Sequence, residues 1–315
     1  MKKFIRGAFW GAAVGDALGG PVESMSSGQI REKYGTLKEM AGGGWLGLEP
    51  GEWTDDTSMT LDVARGILSN PAYPLEEIGH NFIRWFRSGP KDIGSTTRES
   101  ITNYMKFGNW REASAKTVQT LNKMDSNGGL MRTLPVTFGY WNDMQKMAKW
   151  SAEICMMTHY SHDSAACCIF YNILVRISSA GGPKRPLVSR ALDLVDGYCK
   201  EMNLIPSKFF WHMIKSIQSN APTVPPRGNA LDTLAASIQA FLATDSYEDA
   251  LVEVVNRGED TDTAGCITGG LAGTYYGYGA IPKRWLDALK NKEEIEEVIR
   301  RFTEYWEHRG ISAQS

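Results

Sequence analysis

The chain has no surplus of positive charge. Its 34 Lys and Arg face 36 Asp and Glu, a formal net charge of −2, so nothing is left over to pair with the phosphates of a nucleic acid. Cysteine is sparse and odd in number: Cys155, Cys167, Cys168, Cys199 and Cys266, with no C-x-x-C spacing. That argues against a zinc site or a disulfide framework. It leaves these residues as small buried hydrophobes of a reducing compartment. No stretch approaches the ~20 apolar residues of a membrane span. The disorder signature is missing too, because 42% of residues are hydrophobic and only 22% are charged. Strand-like alternation is scarce, and the sequence holds neither a fixed-period repeat nor a low-complexity tract.

The start, MKKFIRGAFWGAAVGDALGG, has the outline of a signal peptide. Against that, Arg6 and Asp16 bracket a short, glycine-bearing run that makes a poor hydrophobic region. The expectation is a cytoplasmic protein.

What the chain does have is helical period. Met59, Leu61, Val63, Ala64, Ile67 and Leu68 follow Asp56 and suit a helix that stops near Ser69-Asn70-Pro71. Ile78, Phe82, Trp85 and Phe86 form a second stripe, stopped by Ser88-Gly89-Pro90. Further stripes run through Met144 to Cys155, Ala165 to Val175, Leu234 to Phe241 and Ile295 to Trp306. Pro222 to Gly228 is the best candidate for a linker, but it is short. The reading is one compact all-α domain over residues 1–315, and Trp45, Trp53 and Trp85 are assigned to its core.

Two clusters stand out against that background. Glu52-Trp53-Thr54-Asp55-Asp56-Thr57-Ser58 and Gly258-Glu259-Asp260-Thr261-Asp262-Thr263-Ala264-Gly265 each lead into a helical run. Helix capping accounts for one hydroxyl or carboxylate in each, since such side chains accept hydrogen bonds from free amides. It does not account for the excess, because neighbouring like charges repel unless a cation lies between them. Carboxylates and threonine hydroxyls are hard oxygen donors, matched to Mg²⁺, Mn²⁺ or Ca²⁺ rather than zinc. The spacing is not that of an EF-hand loop. Two such segments suit a bimetallic centre.

Other segments carry weaker signals. The glycines of residues 7–20 read as a tightly packed helix that lets another backbone come close. Asp16 and Glu23 sit among small apolar residues, a costly placement unless they are paired. Asn127-Gly128-Gly129-Leu130-Met131-Arg132 offers bare amides suited to a phosphate or ribose, without a Walker or dinucleotide fingerprint. Asp92 to Thr97 reads as a turn and helix cap. His159 and His162 have the spacing of one helix face, and hydrogen-bonded core positions suit them better than metal ligation.

Taken together, the chain resembles the ADP-ribosylglycohydrolase family, which includes the dinitrogenase reductase-activating glycohydrolase and the ADP-ribosylarginine hydrolases. The resemblance runs in order through GAFWGAAVGDALGGPVE (7–23), WTDDTSMTL (53–61), DIGSTT (92–97), NGGLMR (127–132), TH (158–159) and GEDTDTAG (258–265). It implies an orthogonal helical bundle with two Mg²⁺ or Mn²⁺ ions in a cleft. The ligands it implies are Thr54, Asp55, Asp56, Asp260, Asp262 and Thr263. Glu23 matches the acid after the family's first helix, and Asp92 the aspartate of its DIG motif. Asn127, Gly128, Gly129, Met131 and His159 match segments that line the ADP-ribose pocket. The segment PPRGNALDTL (225–234) departs from the family's commoner glycine-tyrosine-valine pattern, with Asn229 and Ala230 in place of the larger residues.

The implied activity is hydrolysis of the bond between the distal ribose and a modified side chain, arginine foremost, by a metal-activated water. Asp56, Glu23 and Asp262 are the catalytic candidates, with Asp56 or Glu23 taking the proton. The implied partners are an ADP-ribosylated protein and the ADP-ribose product, and the expected state is a monomer. The alternatives are a hydrolase of serine-linked or O-acetyl ADP-ribose, a silent ADP-ribose binder, or a metal-dependent phosphoesterase.

Overall fold

The computed structural model describes residues 1–122, 125–217 and 222–309. Among them sixteen α-helices follow one another. The first eight are α1 (Lys2–Gly19), α2 (Ser27–Tyr34), α3 (Asp55–Ser69), α4 (Leu75–Arg87), α5 (Ser95–Phe107), α6 (Trp110–Leu121), α7 (Pro135–Gly139) and α8 (Met144–Met156). The rest are α9 (His162–Ser178), α10 (Lys184–Glu201), α11 (Lys208–Ile217), α12 (Ala230–Ala243), α13 (Tyr247–Val255), α14 (Thr261–Tyr276), α15 (Lys283–Ala288) and α16 (Lys292–Glu307). Extended pairing among the described residues is limited to three isolated bridges, so the all-α expectation holds.

The stripes read from the sequence are the faces that these helices bury. Ile295, Val298, Ile299, Phe302 and Trp306 turn inward from α16, as Met59, Leu61, Val63, Ala64 and Ile67 do from α3. Polar caps fix several starts. Asn109, Asp143 and Asn229 each accept the amide three residues on, at 2.8–2.9 Å, and Ser26 with Gln29 forms a capping box. The expected stops are where the chain breaks, after Ser69 and after Arg87. The five cysteines are free and buried. No helix among the described residues is long and apolar enough to cross a membrane.

The centre of the bundle is the antiparallel pair α1 and α14. A Cβ built on Gly7, Gly11, Gly15 or Gly19 would lie 2.0–2.3 Å from a carbonyl oxygen of Gly273, Gly269, Gly265 or Thr261, in that order. Gly265, Gly269 and Gly273 meet the backbone of Gly15, Gly11 and Gly7 just as closely. Repeats every four residues put each set on one helix face, and only hydrogen at the contact lets the backbones approach this far. The close-packing expectation for the N-terminal glycines is met, and their partner is a second glycine column about 250 residues away in sequence.

This pair sets the register of everything around the cleft. The C-terminus of α1 meets the N-terminus of α14, where Thr261 Oγ1 donates to the Gly19 carbonyl at 2.9 Å. Just beyond, Ser24 N donates to Glu259 O at 2.8 Å and Glu259 N to Met25 O at 2.7 Å. Glu23 is thereby pinned beside the Asp260–Thr263 segment. The PTVPPRG stretch links parts of the same site: Pro226 O accepts from Asp260 N at 2.9 Å, and Gly228 O from Asn127 N at 3.3 Å.

Candidate active site

Asp16 explains how α3 is aimed. It is fully buried on α1, and its carboxylate accepts the Thr54 amide at 3.1 Å, the Thr54 hydroxyl at 2.9 Å, the Thr57 amide at 2.9 Å and the Thr57 hydroxyl at 2.6 Å. Four donors offset the cost of burying the charge. Thr54 is the N-cap residue of α3, but its bond from Asp56 N is long, at 3.4 Å. The carboxylate of Asp16 therefore satisfies this helix start better than Thr54 does. Because the single hydroxyl proton of Thr54 points to Asp16, its lone pairs remain for another partner.

Asp55 and Asp56 open α3, and Asp260 to Thr263 open α14, so both acidic segments present helix N-termini to one cleft of about 190 Å³. Asp55, Asp56, Asp260, Asp262 and Thr263 line it, together with Glu23 and Asp92. The Thr263 hydroxyl donates to Asp56 Oδ2 at 3.4 Å, and the Thr263 amide to Asp262 Oδ1 at 2.8 Å. Glu23, Asp92 and Asp262 each bring one carboxylate oxygen within 4.8 Å of the others. Among the described residues lining the cleft none is Lys or Arg.

Such crowding shows in the proton affinities. Burial, then the charges of Asp92 and Asp16, holds Asp55 well above the usual carboxylate range. Asp56 is raised by burial and by Asp16 and Asp55, and Asp262 by burial and by Glu23 and Asp56. Glu23 is pushed up to about 7, by burial first and then Asp92. Asp56 Oδ1 is buried without a hydrogen-bond partner. A buried, unpartnered carboxylate oxygen among all-oxygen neighbours fits a hard divalent cation.

The opposite wall carries neutral groups. Residues Asn127–Gly129 form a 3-10 turn, and the Asn127 amide group donates to Thr233 Oγ1 and Asp260 Oδ2, both at 3.0 Å. Ser126 Oγ donates to Thr96 Oγ1 at 3.0 Å. Gly94, Ser95, Thr96 and Thr97 bring the start of α5 to the cleft, and Gly128, Met131, His159 and Gly228 complete it. Gly128 lies against His159: a Cβ there would stand 2.8 Å from Cε1 and 2.9 Å from Nε2.

Some expectations need correction. Gly129 is not on the cleft surface and faces Cys155, whose Sγ would be 2.6 Å from a Cβ at 129. Thr54 borders the lining, with its hydroxyl proton on Asp16 and its lone pairs left for another partner. His159 and His162 share no helix face: His159 lies in the loop after α8, whereas His162 begins α9 and accepts the Ile205 amide at 2.9 Å. Asp92 caps nothing, since α5 starts from Gly94 without a side-chain cap, and its carboxylate joins the cleft instead. Trp45 is not a core residue. It is 61% exposed, and its indole N–H donates to Glu23 Oε2 at 2.6 Å. Ser95, Thr96, Thr97 and Ser126 escaped the sequence reading as named site residues, although the first three lie in the DIGSTT segment.

A family model described as ADP-ribosylglycohydrolase matches residues 2–311. The chain is 34% identical to the ADP-ribosyl-[dinitrogen reductase] glycohydrolase of Rhodospirillum rubrum, covering 94% of this chain and 92% of that one. It is 30% identical to the ADP-ribosylarginine hydrolase Tri1 of Serratia proteamaculans, over 93% of this chain and 77% of the relative. A solved structure, an ADP-ribosylglycohydrolase-related protein complex, superposes with a TM-score of 0.79 at 31% identity, covering 96% of this chain and 97% of that one.

Proposed function

The chain belongs to the ADP-ribosylglycohydrolase family, and from that premise we propose that it is a divalent-cation-dependent hydrolase that removes ADP-ribose from modified protein side chains, arginine in the first place. The observation that carries this reading is the convergence of two acidic helix starts, some 200 residues apart, on one cleft with no described cationic side chain in its lining. The relative at 30% identity, an ADP-ribosylarginine hydrolase by its name, supports the arginine linkage, and the one at 34%, named for ADP-ribosylated dinitrogen reductase, supports a protein substrate.

Thr54, Asp55, Asp56, Asp260, Asp262 and Thr263 are the proposed ligands of two cations, Mg²⁺ or Mn²⁺. When bound, such ions supply Lewis acidity and offset the stacked negative charge. The rest of the chemistry falls to the chain itself. Of the two candidates for proton uptake, Asp56 is deeply buried with one oxygen unpartnered, the state of a ligand. Glu23 is half-buried, with Oε2 engaged by Trp45, a placement that suits a group taking a proton from an attacking water and passing it to the departing side-chain nitrogen. Asp262 and Asp92 share the Glu23 corner, and their negative charge favours the oxocarbenium character that develops at the anomeric carbon. Asn127, held by Thr233 and Asp260, has a fixed carboxamide that suits a ribose hydroxyl. Gly128 leaves room for the pyrophosphate beside His159.

The test is mass spectrometry of ADP-ribosylated arginine and serine peptides, side by side, with and without chelator. Release from arginine that stops on chelation is the expected result. Faster release from serine would replace the linkage, and tight ADP-ribose binding without release from either would replace catalysis by binding.

A further inference from the structure

Arg132, the last residue of the NGGLMR segment, is fully buried, and no carboxylate among the described residues bonds it directly, although the charge of Asp55 acts on it from a distance. Its Nη2 donates to the Thr158 hydroxyl at 2.5 Å and to the Ile154 carbonyl at 3.4 Å, Nη1 approaches Met59 Sδ at 3.8 Å, and the guanidinium lies 4.6 Å over the Phe82 ring. Burial pulls its proton affinity down to about 10, which still leaves it charged at neutral pH. A buried cation facing one hydroxyl, one carbonyl and a ring is weakly compensated for a purely structural group.

The hydroxyl it holds has a second neighbour. Thr158 Oγ1 is 2.7 Å from Nδ1 of His159, and both residues are buried. A guanidinium only donates, and a threonine hydroxyl has one proton. With Arg132 filling an acceptor site of Oγ1, the satisfied arrangement sends the Thr158 proton to Nδ1. The reverse arrangement, Nδ1–H donating to Oγ1, leaves a buried hydroxyl proton without an acceptor among its recorded neighbours. In a neutral imidazole the two nitrogens take opposite roles. The edge that carries Nε2 is the one against which Gly128 lies, at the cleft.

We propose that Arg132 and Thr158 are positioning residues that lock His159 as the Nε2–H tautomer, so that it presents a hydrogen-bond donor, and not an acceptor, to an anionic oxygen of the ADP-ribose ligand. The ligand half of this statement rests on the function proposed above, whereas the tautomer half stands on the geometry alone. A donor at that edge suits a diphosphate oxygen; an unprotonated Nε2 would repel it.

The ¹⁵N–¹H correlation spectrum of the labelled, ligand-free protein, with the His159 signals assigned by their loss in His159→Asn, decides the tautomer half without relying on a damaged variant. A protonated Nε2 and a bare Nδ1 are expected, and an Nδ1–H signal overturns the proposal. Thr158→Val should turn that pattern into a mixture and weaken free ADP-ribose about tenfold by calorimetry, with KM rising and kcat nearly unchanged; Thr158→Ser should restore both. Arg132→Met, which leaves Thr158 and His159 in place, should loosen the tautomer in the same way. An unchanged tautomer in Arg132→Met or Thr158→Val, or equal ADP-ribose affinity in Val and wild type, overturns it. If wild-type protein binds no ADP-ribose, the ligand half falls together with the function, while the spectrum still decides the tautomer.

Discussion

At one end of the cleft, Asp55, Asp56, Asp260 and Asp262 are pressed together with Glu23 and Asp92, and burial with mutual repulsion raises the proton affinities of Glu23, Asp55, Asp56, Asp92 and Asp262. At the other end, Ser126 bonds Thr96, Asn127 bonds Thr233, and Thr158 sits between Arg132 and His159. The first end is crowded with like charge in isolation, whereas the second has these hydrogen bonds made before any ligand arrives. The contrast teaches a division of labour. Unmet electrostatic demand is stored where a cation and reacting atoms are proposed to sit, and ready-made hydrogen bonds hold shape where the unreactive part of the ligand is proposed to rest.

The comparison breaks most severely at the acidic end. Asp56→Asn and Asp262→Asn should each lower turnover on the order of 10³-fold or more, while circular dichroism and the melting curve of chelated protein stay native, because the lost charge was repelled rather than paired. Near-native turnover in both would end the two-cation reading.

Chelation gives the next largest effect. Activity should fall to background and return with Mg²⁺ or Mn²⁺, and cation at about a hundred times its Kd should add ~2.7 kcal/mol of stability, seen as a Tm several degrees higher. The chelated protein has a signed pH dependence. Glu23 and Asp16, raised to about 7 and about 6, keep protons in the folded state at pH values where the unfolded chain, titrating near ~4, has released them. Stability should thus fall as pH rises from about 4 through 7, and saturating cation should flatten that slope. A chelated protein that gains stability over this window would contradict the stored repulsion.

At the neutral end the effect should be smaller and different in kind. Gly128→Ala brings a methyl against the His159 ring and should raise the ADP-ribose Kd about tenfold, with cation affinity unchanged by titration. Asp16→Asn tests the support behind the acidic end, and its effect falls on the fold first. It exchanges a carboxylate that takes four donors for an amide with one acceptor oxygen, and urea unfolding should show a loss of about 2 kcal/mol. Cation affinity should weaken with it, since Thr54 and the start of α3 lose their anchor.

These differences also mark what could be read from sequence. The acidic segments were legible because each holds more carboxylates than a helix start needs, and the α3 and α16 helices because their apolar residues recur at helical spacing. Asp16 was visible as an acid in a costly setting, but its partners Thr54 and Thr57 lie about 40 residues away, and no local rule joins them. Trp45 failed for the opposite reason: an aromatic side chain predicts burial on average, yet this one stands in a glycine-rich loop and spends its N–H on Glu23. His159 and His162 matched a helical spacing across a segment where the backbone leaves one helix and begins another. Gly128 and Gly129 read alike in sequence, yet in the turn one meets His159 and the other Cys155.

The glycine columns of α1 and α14 have a consequence for the order in which the protein is made. Helix α1 leaves the ribosome before its mate, which lies about 240 residues later, on the order of 10–50 s at ordinary elongation speeds. Through that interval the bare backbone face of α1 has nothing to rest on, although Asp16 can already meet Thr54 and Thr57. Helix α1 can settle against its mate only once α14 has been made, so the candidate pocket closes late, and a chain cut short before α14 leaves α1 without its seat.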